Sequence, residues 1–306
     1  MRVQESTAFL FVAQQGTLSP DLSTLVRGEP AFAAAFSACA HEIENRAGWS
    51  LADEMRAPHS VHTARDQPVV TALQIAWVSL LRSAGIEAVA AGGLSAGETA
   101  AAWCSGAIDL ADAMRLALQF GYLADQDASR GGMGYLRTDW GTIGDLIERN
   151  APEVARAVEM SGDLTVIAGP SGSVDRVITA AAARGIDGAR LPFDRAYHNA
   201  EIDPLEPWFC NALESLVSRG TRIPLYSAVT RRLNDGRALT AGHWWQVARA
   251  PNYFFSMLQK MIGDGYRRFV EIGPAPMFAE TARQAAQGAG ARIEVVTVDE
   301  LLRGRS

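Results

Sequence analysis

Ser95 lies in Gly93-Leu94-Ser95-Ala96-Gly97, a GxSxG pentapeptide with an apolar tract before it (Ala88 to Ala91) and a helical pattern after it (Thr99 to Trp103). A serine hydroxyl is a weak nucleophile at neutral pH, and a sharp strand–turn–helix setting exposes it at a helix N-terminus. The turn needs small neighbours, because its backbone is tight and the helix packs close to the strand. The N–H of Ala96 could then face an oxyanion developing on an acyl carbonyl. A glycine-rich turn with an incidental serine is the plain alternative; the flanking strand and helix favour the nucleophile. Such a serine needs a base, and the histidines are His41, His59, His62, His198 and His243. His41 falls in a helical segment, and His59 and His62 sit in a polar connection without a third metal ligand. His243 precedes Trp244-Trp245 and reads as a helix-start or packing residue. His198, in Arg195-Ala196-Tyr197-His198-Asn199, leads the others only modestly on pattern alone.

The elements that must position these groups alternate. Thr7 to Val12 is an apolar run ending at Gln14-Gln15-Gly16, which predicts a buried strand and a loop. Leu22 to Arg27 fits a short helical turn closed by Gly28. Helical spacing follows from Pro30 to Arg46 and from Val69 to Ala84, the second closed by Gly85. Asp109 to Tyr122 is a further amphipathic helix. Near Gly131-Gly132 the pattern changes. Strands are predicted at Met133–Arg137, Leu164–Ala168 and Ala189–Phe193, with helices at Ile143–Glu148 and Val174–Arg184 between them. This β-α-β-α-β order resembles a small ferredoxin-like insert. Near the end, Phe269-Val270-Glu271 is a strand entering Ile272-Gly273-Pro274. The expected fold is α/β: an α/β-hydrolase-like large subdomain with a mainly parallel sheet (1–129 and 196–306) and a ferredoxin-like small subdomain (130–195).

Composition narrows the function classes. The chain has 306 residues and a formal net charge of −6, which argues against a nucleic-acid partner. Cys39, Cys104 and Cys210 are widely spaced and lack any CxxC, so neither a disulfide framework nor a zinc site is expected. No run approaches the roughly 18 apolar residues of a membrane span, and the first residues lack a signal-peptide stretch. A cytoplasmic location and no membrane partner are expected. Gly92, Gly93 and Gly97 serve the elbow and lack GxGxxG spacing, so no nucleotide, nicotinamide or metal is expected to be bound.

Taken in order, several of these motifs resemble the acyl carrier protein S-acyltransferases, the malonyl-transferase-like family of fatty-acid and polyketide synthesis. Phe11-Val12-Ala13-Gln14-Gln15-Gly16 is similar to the family's opening strand and loop, and Gln67-Pro68 to the Gln-Pro before its long helix. Gly93-Leu94-Ser95-Ala96-Gly97-Glu98 stands where the family reads GHSxGE, and Ala196-Tyr197-His198-Asn199 where it reads AFHS. Glu271-Ile272-Gly273-Pro274 matches its EIGP in full. The resemblance implies a Ser–His dyad, with Ser95 the nucleophile and His198 the general base. It also implies an oxyanion hole from the backbone N–H groups of Gln14 and Ala96. A backbone carbonyl from an SNV-like loop, here Ala228 in Ser227-Ala228-Val229, would orient the histidine. The implied reaction is ping-pong, from an acyl thioester through a Ser95 ester to a second thiol. The phosphopantetheine arm would belong to the acyl carrier protein substrate and not to this chain.

The departures are as informative. Malonyl-transferring members hold the free carboxylate with an arginine about 25 residues after the serine, and that count lands on Phe120. A guanidinium pairs a carboxylate bidentately, whereas an aromatic face offers an anion nothing. Arg115 lies on a different helix face, and Arg195 is the other arginine that could reach the pocket. Leu94 replaces the family's histidine, and Tyr197 and Asn199 alter the loop that lines the acyl pocket; Trp103 is either pocket or packing. The resemblance is therefore to stand-alone members without the arginine, which implies a trans-acting transferase of a non-malonyl acyl group. Two alternatives stay open: an acyl hydrolase that clears stalled groups from carrier proteins by the same dyad, and a non-catalytic carrier-docking module. Carrier proteins are acidic, so a local basic patch is expected, with Arg267, Arg268, Arg303 and Arg305 as candidates.

Overall fold

The computed structural model describes residues 7–13, 28–56, 64–126, 131–192 and 194–303. Its frame is a six-stranded sheet of β1 (Thr7–Phe11), β2 (Ala90–Gly93), β7 (Leu225–Ser227), β8 (Arg232–Asn234), β9 (Arg268–Ile272) and β10 (Glu294–Thr297), in the order β10-β9-β1-β2-β7-β8. Every pairing is parallel except β7 with β8 at the edge. β1 lies at the centre and is buried along its whole length. A run such as Ala8-Phe9-Leu10-Phe11 is what a strand covered on both faces requires.

Helices cover that sheet. The first is α1 (Pro30–Ala47), with Pro30 at its first turn and Gly48 closing it in the left-handed region at φ 70°. Next come α2 (Asp66–Ser83), α3 (Glu98–Ser105) and α4 (Leu110–Gln126). Positions 68 to 78 of α2 are all buried, so this helix is surrounded by protein and not amphipathic. The predicted helix at Val69 begins three residues earlier, because Gln67-Pro68 occupy its first turn, where a missing N–H has no cost.

The insert is a separate four-stranded sheet of β3 (Gly131–Leu136), β4 (Ala155–Ser161), β5 (Leu164–Pro170) and β6 (Gly188–Arg190), antiparallel throughout and ordered β4-β5-β3-β6. With α5 (Trp140–Asn150) after β3 and α6 (Ser171–Ala182) after β5, it forms the β-α-β-β-α-β ferredoxin-like order. The sequence reading lacked β4. Ala155-Arg156-Ala157-Val158-Glu159-Met160-Ser161 alternates, but its small and charged residues weaken the strand signal. Leu136 and Ile167 face α5 and α6 on one side of this sheet, in a core of its own. Met133, Val158 and Ala168 face the other way, into the core of the large sheet.

Candidate active site

The elbow shows why GxSxG needs its glycines. β2 is shifted toward the turn relative to the predicted Ala88–Ala91 and ends in Gly92-Gly93, both paired to β1 and β7. A Cβ on Gly93 would lie 2.4 Å from the Glu98 nitrogen, and one on Gly97 would lie 2.5 Å from the Phe11 carbonyl oxygen. Neither can exist without moving backbone. Between them Ser95 adopts φ 49°, the left-handed region that non-glycine residues rarely enter. His198 is in the same region at φ 60°. Two such residues facing one another mark a site where the fold holds unfavourable backbone in place.

Ser95 Oγ lies 3.0 Å from His198 Nε2. On the other side of the ring, Nδ1 is 2.8 Å from the Ala250 carbonyl oxygen. A carbonyl only accepts, so Nδ1 carries the proton, and Nε2 presents its lone pair to the serine hydroxyl. The His198 N–H also donates to the Ala248 carbonyl, which fixes the backbone behind the ring. His198 is 3% exposed, and burial pulls its pKa from 6.5 down to about 4, against a smaller opposing effect of the Ala250 hydrogen bond. The imidazole is therefore neutral and able to accept a proton at physiological pH.

Two expected positions are corrected. Ala228 does not orient the histidine; Ala250 does. The Ala228 carbonyl accepts from the Tyr253 N–H, and its own N–H donates to Glu98, so its peptide groups are engaged elsewhere. Asn199 does not line the acyl pocket. It is buried, and its amide donates to the Glu153 and Ala168 carbonyls of the small subdomain while its oxygen accepts from the Glu201 N–H. It ties the chain next to His198 to the small subdomain. Gln14, His59, His62, the Leu22–Arg27 turn and Arg305 lie outside the described residues. Ala96 borders the cavity, and its N–H stays a proposed oxyanion donor.

Three buried polar side chains, Glu98, Gln74 and Glu271, support this geometry, and none has a role assigned from sequence. Glu98, 3% exposed, accepts from Ser227 Oγ and from the N–H groups of Ala228 and Val229. His243, on α7 (Ala241–Arg249), stands 3.6 Å from the second oxygen of the same carboxylate. Gln74 of α2 donates to the carbonyls of Val12 and Ile272, tying together the C-terminal ends of β1 and β9 beneath the elbow. Glu271 accepts from the N–H groups of Met277 and Phe278, which fixes the loop after β9; burial raises its pKa. The Glu98 and Gln74 contacts span large sequence separations, which periodicity cannot reveal.

Between the two sheets a cavity of about 420 Å³ opens onto Ser95 and His198. Leu94, Phe120 and Tyr197 line it as expected, with Gln67 and Leu123. The small subdomain contributes Met133, Val158, Met160 and Val166, and the loop after β9 contributes Met277. No described residue lining this cavity is arginine or lysine. Phe120 is 6% exposed, with its ring 5.4 Å from that of Phe209 and 6.5 Å from that of Trp244. Arg115 bonds Ser215 and pairs with Asp112 away from the cavity. Arg195 pairs with Asp194. Trp103 stacks under Arg82 at the far end of α3, beside a second, polar cavity. Arg267 and Arg268 flank the N-terminal end of β9, opposite the catalytic end of the sheet, and Arg268 pairs with Glu294 there. No helix among the described residues is long and apolar enough to cross a membrane.

The family described as acyl transferase domain matches residues 23–300. Among curated relatives, the spectinabilin polyketide synthase system protein NorA of Streptomyces orinoci is 29% identical over 98% of this chain. The erythronolide synthase EryA2 of Saccharopolyspora erythraea is 29% identical over 92% of it. The chain spans only 16% and 8% of those proteins' lengths. The acyltransferase domain of the polyketide synthase PpsC of Mycobacterium tuberculosis superposes with a TM-score of 0.88 at 26% identity, covering 95% of this chain and 91% of that one. A malonyl CoA-acyl carrier protein transacylase from Clostridium perfringens shares the fold, with a TM-score of 0.88 at 19% identity over 98% of this chain and 96% of that one.

Proposed function

Because this chain belongs to the acyl transferase domain family, we propose that it is a ping-pong acyltransferase of polyketide or fatty-acid synthesis specialised for acyl groups without a free carboxylate. Ser95 Oγ attacks the carbonyl carbon of an acyl carrier protein thioester as His198 Nε2 takes its proton. The tetrahedral intermediate collapses, the C–S bond breaks, and the proton passes from Nε2 to the departing thiolate. A second thiol, or another acceptor, repeats the sequence in reverse and regenerates the Ser95 hydroxyl. The buried Nδ1–H···O=C contact with Ala250 keeps the tautomer correct in both half-reactions. Backbone N–H groups of Ala96 and Gln14 are the proposed oxyanion donors. The phosphopantetheine arm comes with the carrier substrate.

The observation that supports the acyl preference is the lining of the cavity. Phe120, packed among aromatic rings, stands where malonyl-transferring relatives are expected to place arginine, and no other described lining residue is cationic. An unpaired carboxylate buried there would cost several kcal/mol. The test is acylation with malonyl- and butyryl-thioesters in separate reactions, followed by intact mass, with and without a second carrier protein. Butyryl addition that depends on Ser95 supports the reading, and efficient malonyl addition sinks it. Free acid released at the turnover rate without an acceptor would assign the same ester to hydrolysis.

A further inference from the structure

The cavity restricts the acyl group further. It is walled mainly by hydrocarbon from both subdomains, and its volume of about 420 Å³ equals about fourteen molecules of liquid water. An acetyl or propionyl group would leave most of that space to water against apolar walls. Three wall residues are methionines on three separate elements: Met133 on β3, Met160 on β4 and Met277 on the loop held by Glu271. Unbranched thioether side chains repack around guests of different outline at little cost. The valines between them are fixed, since Val158 and Val166 are cross-strand partners on the same sheet face.

Resting on the reading of a neutral acyl substrate, we propose that the enzyme takes hydrocarbon acyl groups of about six to ten carbons, straight, branched or aryl-bearing, with the methionines adjusting to their shape. The size range leaves part of the cavity for the end of the pantetheine arm. Each methylene buried against this wall should raise kcat/KM about fourfold until the cavity is full. Phe120 and Leu123 form the rigid side and the methionines the adaptable one.

The experiment measures kcat/KM for Ser95 acylation with acetyl-, butyryl-, hexanoyl-, octanoyl-, dodecanoyl-, phenylacetyl- and malonyl-coenzyme A. A rise of about fourfold per methylene from butyryl to hexanoyl, with dodecanoyl below octanoyl and phenylacetyl within about tenfold of hexanoyl, supports the proposal. An optimum at acetyl overturns it while leaving the exclusion of carboxylates intact. Malonyl as the best substrate overturns both. Met160→Trp should lower the octanoyl-to-butyryl ratio at least about tenfold as it fills the wall, with Met160→Leu as the control for folding. An unchanged ratio in a folded Met160→Trp protein places the chain elsewhere and overturns the assignment.

Discussion

Replacing Phe120 by arginine asks whether one side chain sets the exclusion of carboxylates. The ring contacts Phe209 and Trp244 and is almost wholly buried. Its loss removes two aromatic contacts of about 0.5–1.5 kcal/mol each together with their buried area, so Phe120→Arg should destabilise the fold by about 3–5 kcal/mol. The new guanidinium enters a cavity with no other described cation, and a malonyl carboxylate is its obvious partner. A charge-assisted hydrogen bond contributes about 1.5–3 kcal/mol, which raises the malonyl-to-butyryl ratio of kcat/KM about tenfold to a hundredfold. The assay is intact-mass acylation with each thioester, and Phe120→Leu controls for lost aromatic packing without added charge. A folded Phe120→Arg protein whose ratio is unchanged, or a Phe120→Leu protein whose ratio rises equally, would refute the reasoning.

Four further outcomes follow. Because the folded pKa of His198 is depressed to about 4, kcat/KM should rise with pH through about 4 and stay flat from about 5.5 to 8; an inflection near 6.5 would contradict a buried neutral base. By linkage, the unfolded chain binds the extra proton first, so this histidine's contribution to stability is present above about 6.5. It is lost as pH falls toward 4, by about 3 kcal/mol, which urea titrations at several pH values would detect. Glu98→Ala strips acceptors from Ser227, Ala228 and Val229 and should cost about 2–4 kcal/mol in denaturant unfolding; it should also lower kcat, because the Ala228 carbonyl anchors the Tyr253 N–H, three residues after the Ala250 that orients His198. Asn199→Ala leaves the Glu153 and Ala168 carbonyls without their donor, an expected loss of about 1–3 kcal/mol by thermal melting, with a Ser95 acylation rate reduced more than tenfold.

Much of the fold was legible because it rests on local signals. The apolar run of β1, the glycines of the elbow and the β9 strand entering Gly273-Pro274 each carry their cause within a few residues. Boundaries moved where tertiary pairing decided them: β2 runs through Gly92 and Gly93 because both pair with β1 on one side and β7 on the other. Among site residues, Ser95 and His198 were found through motif and resemblance, and the structure brings them into contact. Ala228 and Asn199 were misassigned because a sequence shows that a peptide or an amide is present and not which partner claims it. Glu98 bonds residues about 130 positions away, and Gln74 reaches one 198 positions away. Such contacts exist only once the sheet is assembled.

The expectation of a basic docking patch is redirected by the same geometry. Arg267 and Arg268 sit at the wrong end of β9 for an arm that must reach the elbow at the C-terminal ends of β1 and β2. Under the proposed function, a chain with net charge −6 would meet an acidic carrier through local positive charge rather than through overall attraction.

The most direct measurement is a competition: equal concentrations of octanoyl- and malonyl-thioesters, brief incubation, and peptide mapping of the acylated protein by mass spectrometry. The predicted result is an octanoyl ester on the peptide containing Ser95, absent from Ser95→Ala and His198→Ala proteins. A malonyl ester on Ser95, or octanoylation that survives Ser95→Ala, would contradict it.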